Sequence, residues 1–284
     1  MNSETNEPIQ CSIEEQKASG LSAGGPRPLY GVFLFTGQGQ LRVDFTEYGL
    51  DGPTVLFTTP WQVFQIEPKT DFTVRALWFH ADYYCIEAHK KEVACNGLLF
   101  NNIYSQPFIR LDQGALNELH SLLDKLQQEL AFQDSYSQAV ARTYLQLILA
   151  LSSKAKIASA IEPDLSEKAV VPSILKFKAL LEKHFKEERS PAFYADQLGM
   201  TANAFSKKCK QQFHKPPSFL IQERVILEAK KLIHLSLKSM KEIAAELNFD
   251  DEHYFSRYFK KHTGISPTAF RESVGIAQIA YTSM

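Results

Sequence analysis

The amino-acid sequence predicts an α+β protein with an N-terminal β-barrel that carries a helical hairpin, followed by an all-α C-terminal domain built from a repeated two-helix unit. Short runs of aromatic and β-branched residues, separated by glycine, proline and aspartate, predict the barrel. Two periodic apolar segments predict the hairpin. A cap, a turn and an apolar register that recur later in the chain predict the repeated unit. The chain has 284 residues, which suffices for about two domains of ordinary size.

Residues 1–25 are predicted to be a polar, mobile tail. They lack the basic start and the apolar run of a secretory signal peptide. The chain also has no uncharged apolar stretch of about 18 residues that could span a membrane. We therefore expect a cytoplasmic protein whose cysteines are reduced thiols. Cys85 and Cys95 could instead form a redox switch, although buried structural cysteine is the commoner case.

Residues 26–110 are predicted to form the barrel, because apolar and polar residues alternate in several short segments with turn signals between them. Two of the turn signals are Gly37–Gly39 and Asp51–Pro53. The predicted strands are Tyr30–Phe35, Leu41–Phe45, Thr54–Thr58, Trp61–Ile66 and Phe72–Phe79.

Residues 111–160 are predicted to form the helical hairpin, with Asp112 as the cap of its first helix. The apolar stripe of the first helix consists of Leu116, Leu119, Leu123, Leu126 and Leu130. The second helix has a stripe of Val140, Tyr144, Leu147, Ile148 and Leu151. These stripes can pack on the barrel of the same chain or against a second copy. Because the leucine stripe exceeds what one short hairpin needs, we expect the hairpin to form a homodimer.

The segment 161–172 contains two prolines among charged residues and is predicted to be a linker. The net charge of −1 is unevenly distributed along the chain. Residues 1–170 hold 13 Lys and Arg against 20 Asp and Glu, whereas residues 171–284 hold 18 against 12. A basic C-terminal part beside an acidic N-terminal part indicates a polyanionic partner for one end only.

The domain at 173–284 is predicted to be helical and to end in two short helices joined by a tight turn. Lys241–Phe249 has an apolar face, and Asn248 lies at the turn, where a left-handed backbone is needed. Asp250 or Asp251 can cap the next helix, which stops at Gly264. Helix, short turn and helix with a polar outer face is the helix-turn-helix layout.

This unit occurs a second time at residues 192–219, with Gly199 at the turn and Thr201 at the cap. A long helix over about 218–235 separates the two copies and can hold them at a fixed separation. A matching cap, turn and apolar register in two places is difficult to obtain by chance.

The stretch "ERVILEAKKLIHLSLKSMKEIAAELNFDDEHYFSRYFKKHTGISPTAF" resembles the signature of the AraC/XylS-type transcription regulators. The resemblance implies a DNA-binding domain of two helix-turn-helix units over the full C-terminal part. The stretch "VLFTTPWQVFQIE" is similar to the cupin-like effector domain of the same family. The first unit departs from the pattern, because Cys209 stands where the family usually has Phe, and His214 stands where the second unit has Gly264. We expect the first unit to pack less tightly or to contact DNA less strongly.

A recognition helix needs short polar or forked side chains on its outer face near its start. The resemblance implies base contacts at the exposed polar positions of both second helices: Asn203, Ser206, Lys207, Glu252, His253, Ser256 and Arg257. Phosphate contacts, which position the protein without sequence information, are expected at Thr201, Lys210, Lys260 and Lys261. Arg257 could instead form an ion pair with Glu252 or Asp251, and Lys207 could contact phosphate only.

The barrel can hold a small effector in an apolar pocket. The candidate lining residues are Phe33, Phe35, Trp61 and Trp78, which could equally fill the core. We expect no metal, cofactor or catalytic site, because the strands offer almost no histidine and Phe64 stands where related metal cupins tend to have His. His80, Glu87 and His89 are close in sequence, but they lie across a predicted loop.

The expected function is a DNA-binding transcription regulator that binds promoter or operator DNA as a homodimer and responds to an effector. Two alternatives remain open: a regulator without an effector, whose N-terminal domain only dimerises, and a cupin-type enzyme.

Overall fold

The computed structural model describes residues 11–21, 25–44, 46–84, 86, 98–132, 134–161 and 172–276. The chain divides into two compact units, one of residues 1–100 with 107–158 and the other of residues 101–106 with 159–284. The first unit combines an antiparallel sheet with helices, and the second contains the repeated helices, so the predicted α+β class is confirmed. Most of the predicted linker, and both Cys85 and Cys95, lie outside the described residues.

The strands of the first unit form a six-stranded sheet in which the pairings are antiparallel. The strands are β1 (Cys11–Lys17), β2 (Tyr30–Val43), β3 (Thr46–Thr58), β4 (Phe64–Pro68), β5 (Thr73–Phe79) and β6 (Phe108–Arg110). Their order in the sheet is β1-β5-β2-β3-β6, and β4 pairs with the second half of β2.

Two predicted turns are wrong, because both segments lie inside strands. Gly37–Gly39 is part of β2 and Asp51–Pro53 is part of β3, and the two segments pair with each other across the sheet. A Cβ atom on Gly37 would lie 2.1 Å from the ring of Phe72. Glycine is therefore required there for close packing rather than for reversing the chain. The reversal between β2 and β3 occurs at Asp44, whose φ of 51° is left-handed.

The predicted tail is also wrong for residues 11–21. β1 pairs with β5 over its whole length, from Cys11 opposite Phe79 to Lys17 opposite Thr73. A single helical turn, α1 (Ala18–Leu21), follows. The strand is mostly polar because its side chains are only partly buried, which removes the apolar alternation that would have identified it.

Alternate residues along the strands point to opposite faces of the sheet, and both faces are apolar. One face includes Val32, Leu34, Val55, Phe57, Leu77 and Phe79, which pack with the helical hairpin in one cluster. The other face includes Phe33, Phe35, Leu56, Val74, Ala76 and Trp78, which form a second cluster.

The hairpin consists of α2 (Gln113–Leu130) and α3 (Ser135–Ile161). The Asp112 carboxylate accepts a 2.8 Å hydrogen bond from the Ala115 backbone N–H, so the predicted cap is confirmed. The predicted leucine stripe of α2 is buried at Leu116, Leu119, Leu123 and Leu126. Those leucines belong to the cluster that packs on the sheet of the same chain.

The apolar stripe predicted for α3 is divided between two faces: Tyr144, Ile148 and Leu151 pack against the sheet cluster, whereas Val140 and Leu147 do not. The buried apolar side chains of α3 are Ala141, Leu145, Ile148 and Leu149. Of the predicted stripe, only Ile148 is among them, whereas Val140 and Leu147 are 40% and 41% exposed. Helix α3 therefore has a second apolar face, which we call the outer face and which includes Tyr136, Val140 and Leu147.

The second unit contains seven helices among its described residues. They are α4 (Pro172–His184), α5 (Pro191–Gln197), α6 (Ala202–Phe213), α7 (Pro217–Leu235), α8 (Met240–Glu246), α9 (Glu252–Thr263) and α10 (Pro267–Val274). Helix α7 corresponds to the long helix predicted between the two copies of the repeat. In the described part of the chain, the structure contains no helix that is both long and apolar enough to cross a membrane.

Candidate nucleic-acid interface

Helices α8 and α9 form the second helix-turn-helix. α8 begins with a capping box, in which the Ser239 hydroxyl accepts a hydrogen bond from the Glu242 backbone N–H and the Glu242 carboxylate accepts one from the Ser239 backbone N–H. The turn that follows contains Asn248 with φ of 54°, which confirms the predicted left-handed residue. The tight connection fixes the direction in which α9 leaves α8.

Helix α9 is fixed at both ends and along its inner face. The Asp251 carboxylate accepts a 2.7 Å hydrogen bond from the Tyr254 backbone N–H. This bond is the main reason why the pKa of Asp251 lies below its usual range, and the nearby Arg257 charge is a smaller cause. Phe255 and Phe259 are fully buried, and the helix ends at Gly264 with φ of 79°.

Helices α5 and α6 form the first helix-turn-helix with the same local geometry. The turn residue is Gly199, with φ of 62°. The Thr201 hydroxyl accepts a hydrogen bond from the Ala204 backbone N–H, so its predicted role as a cap is confirmed. Helix α6 ends at His214, which adopts the left-handed conformation that Gly264 adopts at the end of α9 in the second helix-turn-helix. A non-glycine residue there carries backbone strain.

Cys209, where the family usually has Phe, is fully buried in α6. Burial raises the pKa of its thiol to about 12, so the side chain behaves as a small apolar group rather than as a reactive thiolate. Phe205, one turn earlier on the same face, packs with its ring 5.0 Å from that of Phe177. The expectation that the first helix-turn-helix packs less tightly than the second stays a prediction.

Helices α6 and α9, the second helix of each helix-turn-helix, expose side chains at the same positions. Each residue of 201–214 has the same degree of burial as the residue fifty positions later in 251–264. Identical patterns of exposure arise because the caps, turns and buried aromatic positions are in register. The repeat predicted from the sequence is therefore present as a repeat of structure, and it presents two equivalent outer faces.

All residues predicted to contact DNA lie on α6 or α9 or at the α6 cap. The exposed ones are Thr201, Asn203, Lys207, Lys210, Glu252, His253, Arg257, Lys260 and Lys261, whereas Ser206 and Ser256 are partly buried. Within the described residues, Lys207 and Arg257 form no ion pair. Arg257 thus makes no direct ion pair with Glu252 or Asp251 among the described residues, and its influence on Asp251 is limited to the smaller electrostatic effect on the Asp251 pKa.

Sequence reasoning missed two exposed residues on these faces. Tyr254 is 41% exposed on α9, with its ring 5.6 Å from that of Phe249. Gln211 is exposed on α6 at the position that corresponds to Lys261. The fifty-residue offset was the available signal, because it pairs every exposed position of one helix with an exposed position of the other.

The residues predicted to line an effector pocket are divided between the core and its edge. Phe33, Phe35 and Trp78 are buried in the second cluster of the sheet, and the edge of one ring meets the face of the other in the Phe33–Trp78 pair at 4.9 Å. Trp61 is partly buried and has a left-handed φ of 59°. The Trp78 indole N–H is buried without a hydrogen-bond partner among the described residues. These contacts are those of core side chains, and a pocket stays a prediction.

The described residues contain no group of three side chains that could hold a metal ion. His80 is buried, and its Nδ1 atom accepts a 3.2 Å hydrogen bond from the Asp82 backbone N–H. Glu87 and His89, the other members of the sequence cluster, lie outside the described residues.

Comparison with known proteins agrees with this geometry. Residues 194–273 match the family model of a helix-turn-helix domain. The transcriptional activator RhaS of Escherichia fergusonii is 28% identical over 164 residues, which cover 57% of this chain and 56% of that protein. RhaS of Escherichia coli strain K12 is 26% identical over the same shares of the two chains. The chain thus matches little more than half the length of these curated relatives.

Solved structures of similar layout include ToxT from Vibrio cholerae O395, with 13% identity, a TM-score of 0.42 and coverage of 93% of this chain and 98% of that one. The C-terminal domain of AraT from Geobacillus stearothermophilus has 25% identity and a TM-score of 0.36, and the match covers 39% of this chain and 93% of that one.

The chain is therefore a double helix-turn-helix protein with an N-terminal sheet domain. Its C-terminal part matches a helix-turn-helix domain and is similar to the RhaS transcriptional activators, in agreement with the resemblance stated from the sequence.

Proposed function

We propose that the chain is a cytoplasmic, sequence-specific transcription regulator that binds duplex DNA through α6 and α9. The observation that carries the proposal is the pair of outer faces in register, each presenting polar and basic side chains at the start and middle of a capped helix. The major groove admits a helix of this kind. The RhaS relatives are transcriptional activators, which supports a regulatory role without catalysis.

The two faces differ in their chemistry, and so should their base preferences. On α9, the Arg257 guanidinium can donate two hydrogen bonds to guanine, and the Glu252 carboxylate can accept from cytosine. On α6, Asn203 can pair with adenine, and Lys207 can donate to guanine or to phosphate. Lys210, Lys260 and Lys261 are proposed as phosphate contacts, with the Thr201 cap beside them.

Selection of bound duplexes from a random DNA pool tests this proposal. We expect enriched sequences with two short conserved elements, one for each recognition helix. The Arg257→Ala variant should lose the preference at one position of one element and retain the other element. Recovery of no enriched sequence at low salt would contradict the proposal.

We also propose that the N-terminal unit binds a small, largely apolar effector against the second cluster of the sheet. The Trp78 indole N–H, which is buried without a hydrogen-bond partner among the described residues, supports this, because such a group is a hydrogen-bond donor in an apolar surrounding. An effector with one acceptor atom would satisfy it. A thermal-shift screen of small apolar molecules, with Trp78→Phe as the control that keeps an aromatic ring but lacks the N–H, tests the proposal.

We further propose that the chain forms a homodimer through the outer face of α3. The leucines of α2 are occupied by packing on their own sheet, so they no longer favour self-association. The outer face is different, because Tyr136, Val140 and Leu147 are 84%, 40% and 41% exposed along one side of a helix. Exposed apolar residues along one helix face favour burial against a partner.

A further inference from the structure

The turn of the second helix-turn-helix is held by a residue from the first half of the domain. Arg189 lies between α4 and α5, just before the Ser190 cap of the first unit. Its guanidinium donates hydrogen bonds to the backbone carbonyls of Leu247 at 2.5 Å and Asn248 at 3.1 Å. These two carbonyls belong to the end of α8 and to the left-handed turn residue.

The same guanidinium also lies over an aromatic ring. Its central carbon is 3.8 Å from the centre of the Phe249 ring, and that ring is packed against Phe255 and Tyr258 of α9. Both hydrogen bonds come from one nitrogen, Nη2, while the planar guanidinium stacks on the Phe249 ring, a combination that arginine allows and lysine does not. Arg189 therefore contacts both the turn and the aromatic support of the second recognition helix.

A second link joins the connection between α4 and α5 to helix α8. Lys186, in that connection, donates a 3.2 Å hydrogen bond to the Glu246 carboxylate at the end of α8. Lys238 donates to the other oxygen of the same carboxylate. The bond from Lys238 and then that from Lys186 lower the pKa of Glu246, so the carboxylate is ionised near neutral pH.

The Arg189 bridge, meaning its contacts with Leu247, Asn248 and Phe249, is present at the second turn and has no counterpart at the first within the described residues. The corresponding first turn, at Gly199, accepts no side-chain hydrogen bond within the described residues, although its backbone geometry is the same. The sequence signature of a helix-turn-helix requires no such arginine, since caps and turn residues close the second turn without it. The contacts of Arg189 instead join the first helix-turn-helix to the second.

We propose that Arg189 is a positioning residue that fixes the second recognition helix relative to the first, so that the two helices contact their DNA elements at a single spacing. The proposal rests on the proposed function, because it assumes that α6 and α9 both bind DNA. Helix α7 connects the two helix-turn-helices covalently, and the Arg189 bridge adds a second attachment at the turn between α8 and α9. Two attachments restrict the orientation of α9 more than one does.

The test measures the affinity of the full chain for a duplex with both selected elements and for duplexes in which one or two base pairs are inserted or deleted between them. The parent protein should prefer one spacing. Arg189→Ala should weaken binding at that spacing by about tenfold, the loss expected for charged hydrogen bonds, and should make the affinity nearly independent of spacing. Arg189→Lys keeps the charge but not the planar group that stacks on Phe249, and it should behave like Arg189→Ala.

Lys183→Ala is the matched control, because Lys183 is exposed on α4 and its loss removes one positive charge without touching the bridge. Its spacing preference should equal that of the parent protein. Circular dichroism and melting identify any variant that fails to fold, and Glu246→Gln then tests the second link at milder cost, with a smaller loss of spacing preference expected.

An Arg189→Lys or Arg189→Ala protein that is folded and keeps the parental spacing preference would overturn the proposal. Failure of the parent protein to bind any duplex would instead refute the proposed function, so the two failures are distinguishable.

Discussion

Phe255 and Arg257 are two residues apart on α9, and their side chains have different surroundings. Phe255 is fully buried between Phe249 and Phe259, whereas Arg257 is exposed. Truncating a buried phenylalanine costs roughly 3–5 kcal/mol, so Phe255→Ala should lower the melting temperature of the domain strongly. Arg257→Ala removes no core volume and should melt like the parent protein, but it should lose roughly 1–3 kcal/mol of binding at one base position.

Melting curves together with binding to matched and single-base-variant duplexes separate these effects. An Arg257→Ala protein that melts early, or that binds every duplex as well as the parent, would show that the side chain is structural or merely solvated.

The ends of α6 and α9 provide a second comparison between single residues. Both end in a left-handed residue, His214 and Gly264, and a Cβ on Gly264 would meet no atom within 4 Å. The cost of Gly264→Ala is therefore backbone strain alone, about 1–2 kcal/mol. The reverse change, His214→Gly, should remove strain and raise stability by less, because glycine adds entropy to the unfolded chain. Urea unfolding followed by circular dichroism measures both, and equal loss of stability in the two variants would contradict this account.

At the scale of whole elements, α3 differs from the other helices because it is apolar on two sides. One side packs on the sheet, and the other is the outer face. Leu147→Lys should place a charge in the proposed dimer interface without disturbing the core, so we expect a folded monomer at micromolar concentration where the parent is a dimer. Gln127→Lys, which adds the same charge to an exposed position of α2, is the control. Sedimentation velocity distinguishes the two, and an unchanged dimer of Leu147→Lys would exclude this face.

The elements that could be predicted from the sequence are those with local signals. The α2 cap at Asp112, the left-handed Asn248 and the repeat of α8 and α9 depend on residues close in the chain, and these predictions are confirmed. The turn predicted at Gly37–Gly39 failed because glycine there accommodates Phe72, a neighbour that is distant in sequence. The strand β1 was missed because its partly buried positions do not alternate strongly.

The same distinction applies to the candidate interface. Exposure of the outer faces followed from helical spacing alone, so Arg257 and Lys207 were identified. Arg189 was not, because its bonds to the Leu247 and Asn248 carbonyls join segments almost sixty residues apart. A basic residue before a helix cap has no distinctive local pattern, and only tertiary structure brings it to the second turn.

For the whole molecule, charge is distributed so that one end can bind a polyanion. Residues 171–284 carry six more basic than acidic residues, since they hold 18 Lys and Arg against 12 Asp and Glu, whereas residues 1–170 carry an excess of acidic ones. The acidic excess of residues 1–170 disfavours contact with DNA there, so we expect the helical unit to make the DNA contacts.

Binding by the full chain should therefore weaken steeply as salt rises, because each lysine that neutralises a phosphate releases counterions. Lys260 is exposed in the last turn of α9, where its ammonium is free of ion pairs to other described residues. Lys260→Ala should fold normally, weaken binding to all sequences alike and reduce the slope of log affinity against log salt by about one unit.

Lys176→Ala, which removes an exposed lysine of α4 outside both repeats, should leave the slope unchanged. Fluorescence anisotropy titrations at several salt concentrations measure these slopes. Equal slopes for the parent and Lys260→Ala would show that the last turn of α9 does not contact the phosphates, and the proposed docking of this helix along its whole outer face would then be wrong.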